Sequence, residues 1–269
     1  MAGQFDIDVI VLAGDRGPGD PLARSAGVSG KALVPVAGQP MMTRVLKAVA
    51  EWPRLNRLIL VAPPTTAYRE AASAAGFDAG SGLVWLAPAQ TLSGSVQAAL
   101  SASQAPLRLL LTADHALMNR HWLDRLAEEG ARPGVSGLSV GLTDWHGVMR
   151  RFPGSRRTCY RFSDRSICGT NLFIVHDDSA MLLLDAWQRV EQERKKPWRI
   201  VGLLGWRNLL AYLAGRLSLE EAFAALSARL GVAVRPFLID DPLTAVDVDS
   251  SADLLMVESV LVEDPPAPC

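Results

Sequence analysis

The sequence predicts an α/β fold, a mainly parallel sheet with helices on both faces. Three observations carry this reading. Apolar runs at 7–12, 57–62 and 107–111 have strand length and enough apolar character to be buried on both faces. Helix-length segments separate them with brief connections, the pattern of β–α–β units. The chain has 269 residues, 49% hydrophobic and 20% charged, and can bury the core of one large domain.

The elements follow in order. The first strand, 7–12, opens into a long loop that carries Gly14, Gly17, Gly19, Gly27 and Gly30 among Arg16, Arg24 and Lys31. Glycines free main-chain N–H groups for phosphate oxygens, and the basic residues supply positive charge. This fits a nucleotide cradle, although a glycine-rich surface loop has the same composition. A helix is expected over 41–51 and stops before Pro53. Strand 57–62, helix 66–75 ended by Gly76, and strand 83–86 follow. A helix over 95–103 is expected with Ser95 as its cap, in a Gly94-Ser95-Val96 run that offers free N–H groups to a ligand. After strand 107–111 comes Asp114, at the carboxyl edge of the sheet where open α/β folds bind ligands. A helix over 119–129 has Asn119 as its cap and Gly130 as its stop.

Strands at 135–142 and 168–175 bracket a stretch with five arginines: Arg150, Arg151, Arg156, Arg157 and Arg161. That stretch suits an anionic acceptor or a solvated loop. Residues 179–231 read as a helical insertion. It contains an amphipathic helix over 180–193, a basic and aromatic turn at 194–199, a helix over 203–213, and a helix opened by the Ser218–Glu221 capping box and ended by Gly231. A strand over 232–239 leads to Asp247-Val248-Asp249, where alternation in an extended segment puts both carboxylates on one side. A last helix follows, with Asp249 or Ser250 as its cap and Asp253 in its first turn. The domain is expected to span 1–262, with 263–269 as a tail.

Composition narrows the function. A net charge of −1 gives no general attraction to nucleic acid, so any anion site must be local. Asp6 and Asp8 do not suit a signal peptide. The most apolar helical stretch, 200–215, is too short to span a membrane and is interrupted by Arg207 and Asn208. Cys159, Cys168 and Cys269 form no metal-binding or disulfide pattern, and a reducing cytoplasm fits them best. The four histidines lack zinc-motif spacing, and each is expected at the surface or hydrogen-bonded.

The segments Leu12-Ala13-Gly14 and Lys31-Ala32-Leu33-Val34-Pro35-Val36-Ala37-Gly38-Gln39-Pro40-Met41 resemble the opening of the MobA-like nucleotidyltransferases, in the superfamily of sugar-nucleotide pyrophosphorylases and cytidylyltransferases. Asp15 replaces the family's usual second glycine, and the loop before Lys31 is longer. Arg16 is therefore the first candidate for the triphosphate arginine and Arg24 the second. No Gly-Lys-Ser/Thr follows, so the loop is not a Walker loop. The 91–100 segment is similar to the family's base-side segment, Asp114 to its metal-holding strand-end aspartate, and 245–254 to its acidic ending.

The resemblance implies a Rossmann-like, GT-A-type sheet and Mg²⁺-dependent transfer of a nucleotidyl group from an NTP to a phosphorylated acceptor, with release of pyrophosphate. It also implies site roles. Leu12, Ala13, Gly14, Arg16, Lys31, Gly94 and Ser95 would contact the nucleotide. Lys31, Arg16 and Asp114 would be catalytic, and Asp114 with Asp247 or Asp249 would hold the metal. Arg157 and Asn171 would meet the acceptor. The 94–100 run favours CTP slightly over GTP. The acceptor is a small phosphate ester or, given the 194–199 turn, a lipid-linked one reached by peripheral membrane contact. Two rivals stand beside this reading: an NDP-sugar-dependent glycosyltransferase of related fold, and a noncatalytic nucleotide-binding regulator.

Overall fold

A computed structural model describes residues 7–14, 19–78, 80–155, 157–184 and 205–263. The chain begins with β1 (Ile7–Leu12), followed by a short helix α1 (Pro21–Ala26). A two-strand ribbon, β2 (Pro35–Val36) and β3 (Gln39–Pro40), leads directly into α2 (Met41–Ala50). Then come β4 (Leu55–Val61), α3 (Thr66–Ser73), β5 (Leu83–Leu86), α4 (Leu92–Ala102), β6 (Leu107–Thr112) and α5 (Arg120–Gly130). The second half has β7 (Leu138–Asp144), α6 (Trp145–Arg151), β8 (Tyr160–Arg161), β9 (Ser166–Val175), α7 (Trp206–Leu213), α8 (Leu219–Leu230), β10 (Val234–Leu238) and α9 (Ser251–Glu263).

The central sheet runs β10-β7-β9-β6-β1-β4-β5, and β8 pairs with β9. The pairings of β6, β1, β4 and β5 are parallel, as is that of β10 with β7. β9 runs antiparallel to both β6 and β7. The expected mainly parallel sheet is therefore present, with β9 as an antiparallel wedge between its two parallel parts. β1 is central, and its residues alternate between two cores. Ile7, Val9 and Val11 pack with residues of α2, α3, α5 and α9, whereas Ile10 and Leu12 pack with residues of α4 and α8. Helices on both faces explain why the strands read as unbroken apolar runs.

The exception inside β1 is Asp8, which is fully buried. It pairs with Arg57 at 2.9 Å and accepts hydrogen bonds from Asn56 Nδ2 at 2.9 Å and Ser103 Oγ at 2.7 Å. Burial of the charge is tolerable because its oxygens are satisfied.

Several expectations change. The cradle loop contains α1, capped by Asp20, whose Oδ1 accepts from the N–H groups of Leu22 and Ala23, with Pro21 at the first helical position. The helix expected from 95 begins at Leu92, and Thr91 caps it in place of Ser95. β7 starts at Leu138 instead of 135 because Gly137, with φ +74°, turns the chain immediately before it. Gly130 is the last residue of α5, not the residue after it. The arginine-rich stretch contains α6 and β8. The helix expected over 180–193 falls mostly outside the described residues, as does the 194–199 turn; residues Asp178–Leu183 form a 3-10 helix. The capping box at Ser218 opens α8 and the left-handed Gly231 ends it, as expected. No helix among the described residues is long and apolar enough to cross a membrane.

Candidate active site

The expected site lies at the carboxyl ends of β1 and β6. Beyond β1, the Ala13 N–H donates to Val61 at 2.8 Å and the Ala113 N–H donates to Leu12 at 2.9 Å. These bonds fix Leu12-Ala13-Gly14 between the ends of β4 and β6. Lys31 opens a single 3-10 turn, Lys31–Leu33, anchored by buried Ala32 and Leu33. Its ammonium reaches Asp114 Oδ2 at 2.7 Å and also bonds Asp249 Oδ1.

Asp114 sits two residues past the end of β6. The Thr112 hydroxyl donates to Asp114 Oδ1 at 2.6 Å and holds the carboxylate in place. On the backbone, the Val248 N–H donates to the Asp114 carbonyl at 3.1 Å. That single bond brings the acidic segment 247–249 against the strand end. No strand forms there. Val246 and Val248 are nonetheless fully buried, so the alternation turns Asp247 and Asp249 the other way. Oxygens of Asp114, Asp247 and Asp249 lie within 4.8 Å of one another. Three hard carboxylates at this spacing can hold a metal ion, and they suit a divalent cation such as Mg²⁺ that takes oxygen ligands.

Arg157 closes the other side. Its guanidinium bonds Asp247 Oδ1, the Asp247 carbonyl at 2.7 Å and Asp253 Oδ1 at 2.6 Å. Asn171 Nδ2 adds a bond to Asp247 Oδ2 at 3.1 Å. Asn171 has φ +51°, a left-handed conformation that Asn tolerates better than most residues. It lies where β7 and β9 lose register between Val140 and Leu142. Such irregularities re-aim side chains next to sites, and here Asn171 is aimed at Asp247. Arg157 and Asn171 thus stand on the acidic group itself.

The electrostatics follow. Burial disfavours the Lys31 ammonium, but Asp114 and Asp249 outweigh it and raise its pKa above the usual lysine value. Burial also pushes Asp114 upward, yet Lys31 and the Thr112 hydroxyl bring it below the ordinary carboxylate range. Asp247 is raised, first by burial and then by the Asp114 charge, against the pull of Arg157. His115 is lowered by its burial.

Other expected positions behave differently. Arg16 lies outside the described residues. Arg24 sits in the last turn of α1. At the Gly94-Ser95 turn, the Gly94 N–H donates to Thr91 Oγ1 at 3.0 Å and the Ser95 N–H to the Thr91 carbonyl at 3.0 Å. These N–H groups are used within the turn and are not free for a ligand. Ser95 Oγ instead accepts from the Ala89 N–H at 2.9 Å. His115 is fully buried, and neither ring nitrogen has a hydrogen-bond partner among the described residues, unlike the surface or bonded histidine expected. Thr112 and Asp253 were not among the expected site residues. Thr112 had a readable signal in its place two residues before Asp114; Asp253 could equally serve the helix end.

Comparison with known proteins identifies the family and the fold. Residues 9–148, just over half of the chain, match the MobA-like NTP transferase domain. A hypothetical transferase from Thermus thermophilus is 29% identical with a TM-score of 0.75, covering 93% of this chain and 99% of its own. A CMP:2-keto-3-deoxy-manno-octonic acid synthetase solved with CTP shares the fold at TM-score 0.59 and 12% identity, over 96% of this chain and 98% of that one. The 4-diphosphocytidyl-2C-methyl-D-erythritol synthase of Anaerococcus prevotii shares it at TM-score 0.57 and 11% identity, over 96% and 97%. No curated protein is significantly similar in sequence. The chain belongs to the MobA-like NTP transferase family and is a nucleotidyltransferase.

Proposed function

We propose that the protein transfers a nucleoside monophosphate from an NTP to a phosphorylated acceptor in an Mg²⁺-dependent reaction. An acceptor phosphate oxygen attacks the α-phosphorus in line, the bond to the β-phosphate oxygen breaks, and pyrophosphate leaves. The observation that carries this is the meeting of Lys31, Asp114, Asp247 and Asp249 at one strand end, beside the Leu12-Ala13-Gly14 turn. Asp114, with Asp247 or Asp249, would hold Mg²⁺, which when bound polarises the α-phosphate and offsets its charge. Lys31 stabilises charge that builds toward pyrophosphate, with Arg16 or Arg24 as its partner on the triphosphate. Leu12, Ala13 and Gly14 line the nucleotide, with the Gly94-Ser95 turn near the base. Arg157 and Asn171 meet the acceptor once their donors turn from Asp247 to its phosphate. No covalent nucleophile is required.

CTP is slightly favoured over GTP, since the Gly94–Leu100 run is slightly more like that of cytidylyltransferases, whereas the Leu12-Ala13-Gly14 opening is shared with guanylyltransferases. The acceptor class is a phosphate monoester. Pyrophosphate release is measured for each of the four NTPs, with Mg²⁺, against a panel of phosphorylated acceptors. CTP with one phosphate ester is expected to give the highest rate. Release with none of the four, together with thermal stabilisation by an NDP-sugar, would point to glycosyl transfer instead.

A further inference from the structure

The Lys31 ammonium sits on two of the carboxylates that could hold a divalent ion. It lies 2.7 Å from Asp114 Oδ2 and bonds Asp249 Oδ1 at the same time. These are two of the three carboxylates whose oxygens gather within 4.8 Å. Its side chain is only 13% exposed, so it lies between them largely out of solvent. The third carboxylate, Asp247, is held by Arg157 and Asn171. Two protein cations therefore face the three aspartates.

We propose that Lys31 is a built-in counter-ion that keeps the metal site closed until the triphosphate arrives. A divalent ion drawing on Asp114 and Asp249 meets the Lys31 ammonium at contact distance, where like charges repel strongly in a partly dry site. The ammonium leaves only when another anion offers it equal compensation. A triphosphate is such an anion, and Lys31 is carried by a turn that follows the glycine-rich loop. Metal and nucleotide then bind cooperatively, each removing an obstacle to the other. The ion is poorly held by the free protein, and Lys31 arrives at the phosphates in the same movement that opens the site. This rests on the nucleotidyltransferase reading above for the identity of the anion, but the competition between Lys31 and metal does not depend on it.

The test is Mn²⁺ binding to nucleotide-free protein, read as loss of the free-ion EPR signal. Wild type should bind weakly. Lys31→Ala and Lys31→Gln should each bind at least about tenfold more tightly, and Lys31→Arg, which keeps the charge, should remain weak. Thermal unfolding of each variant establishes that it is folded, and two neutral replacements guard against one that is not. In wild type, CTP should tighten Mn²⁺ binding beyond the ion's affinity for CTP alone; in the neutral variants that coupling should shrink. Folded neutral variants that bind Mn²⁺ no better than wild type overturn the proposal, even if wild type releases pyrophosphate. Conversely, tighter Mn²⁺ in those variants, with wild type releasing no pyrophosphate from any NTP, upholds the competition and removes the nucleotidyl-transfer reading.

Discussion

Asp247 and Asp249 are two residues apart and meet different cations. Asp247 has a side chain 14% exposed and pairs with an equally buried Arg157. Asp249 is 48% exposed and pairs with Lys31. A carboxamide at 247 weakens the bond from Arg157, which still meets Asp253, but it removes a charge that burial and Asp114 disfavour. The net effect on stability is therefore small or favourable. At 249 solvent can compensate, so the same change costs little stability. Asp247→Asn should hold or slightly raise the unfolding temperature, and Asp249→Asn should leave it within about a degree. Both variants lose pyrophosphate release if both carboxylates serve the site. Calorimetry of the two, side by side with the activity assay, separates folding from chemistry; a fall of several degrees for Asp247→Asn would show that its bond to Arg157 outweighs the cost of its buried charge.

Elements decide where these side chains point, and β7 with β9 decides most. At the register change, a Cβ on Gly141 would lie 2.5 Å from Thr170 Oγ1 and 2.7 Å from the Leu172 carbonyl. Backbone of a paired strand cannot yield as a flexible side chain can. Gly141→Ala should destabilise by about 1–3 kcal/mol, and should displace Asn171 from Asp247. Urea unfolding checks the first expectation, and an unchanged midpoint would contradict the tight approach. The sequence carried no sign of this irregularity, because pairing of β9 with β7 depends on strand order. β1, β5 and α2 were legible from apolar runs and helix periodicity alone. The Ser218 and Asn119 caps were legible from side-chain chemistry. α1 was not, since Asp20-Pro21, a strong helix start, was embedded among glycines that read as loop. The cap of α4 was misplaced because Thr91 and Ser95 are both good caps, and the sequence does not show that Ser93 and Ser95 are both buried.

At the scale of the whole molecule, one site is built from both halves of the chain. The family match spans 9–148 and includes Lys31 and Asp114. Arg157, Asn171, Asp247 and Asp249 all come from beyond it: Arg157 from between α6 and β8, Asn171 from β9, and the aspartates from the segment that the Val248 N–H ties to Asp114. Asp114 could be read in the sequence as a strand-end carboxylate. The resemblance put it in one site with Lys31, but their direct ion pair could not be read, since the two are 83 positions apart and their contact depends on the 3-10 turn. The partners of Arg157 were equally hidden: a surface cluster of arginines and a buried guanidinium look alike in a sequence. Asp114 is the residue on which both halves converge, through Lys31 on one side and Val248 on the other. The most direct measurement is thus pyrophosphate release by Asp114→Asn in saturating Mg²⁺ with the preferred NTP and acceptor, on protein whose circular dichroism matches wild type. The variant should retain its fold and lose at least about a hundredfold in turnover, the scale on which removing charge stabilisation from a transition state is felt. Release at a near wild-type rate would contradict a catalytic centre at this strand end.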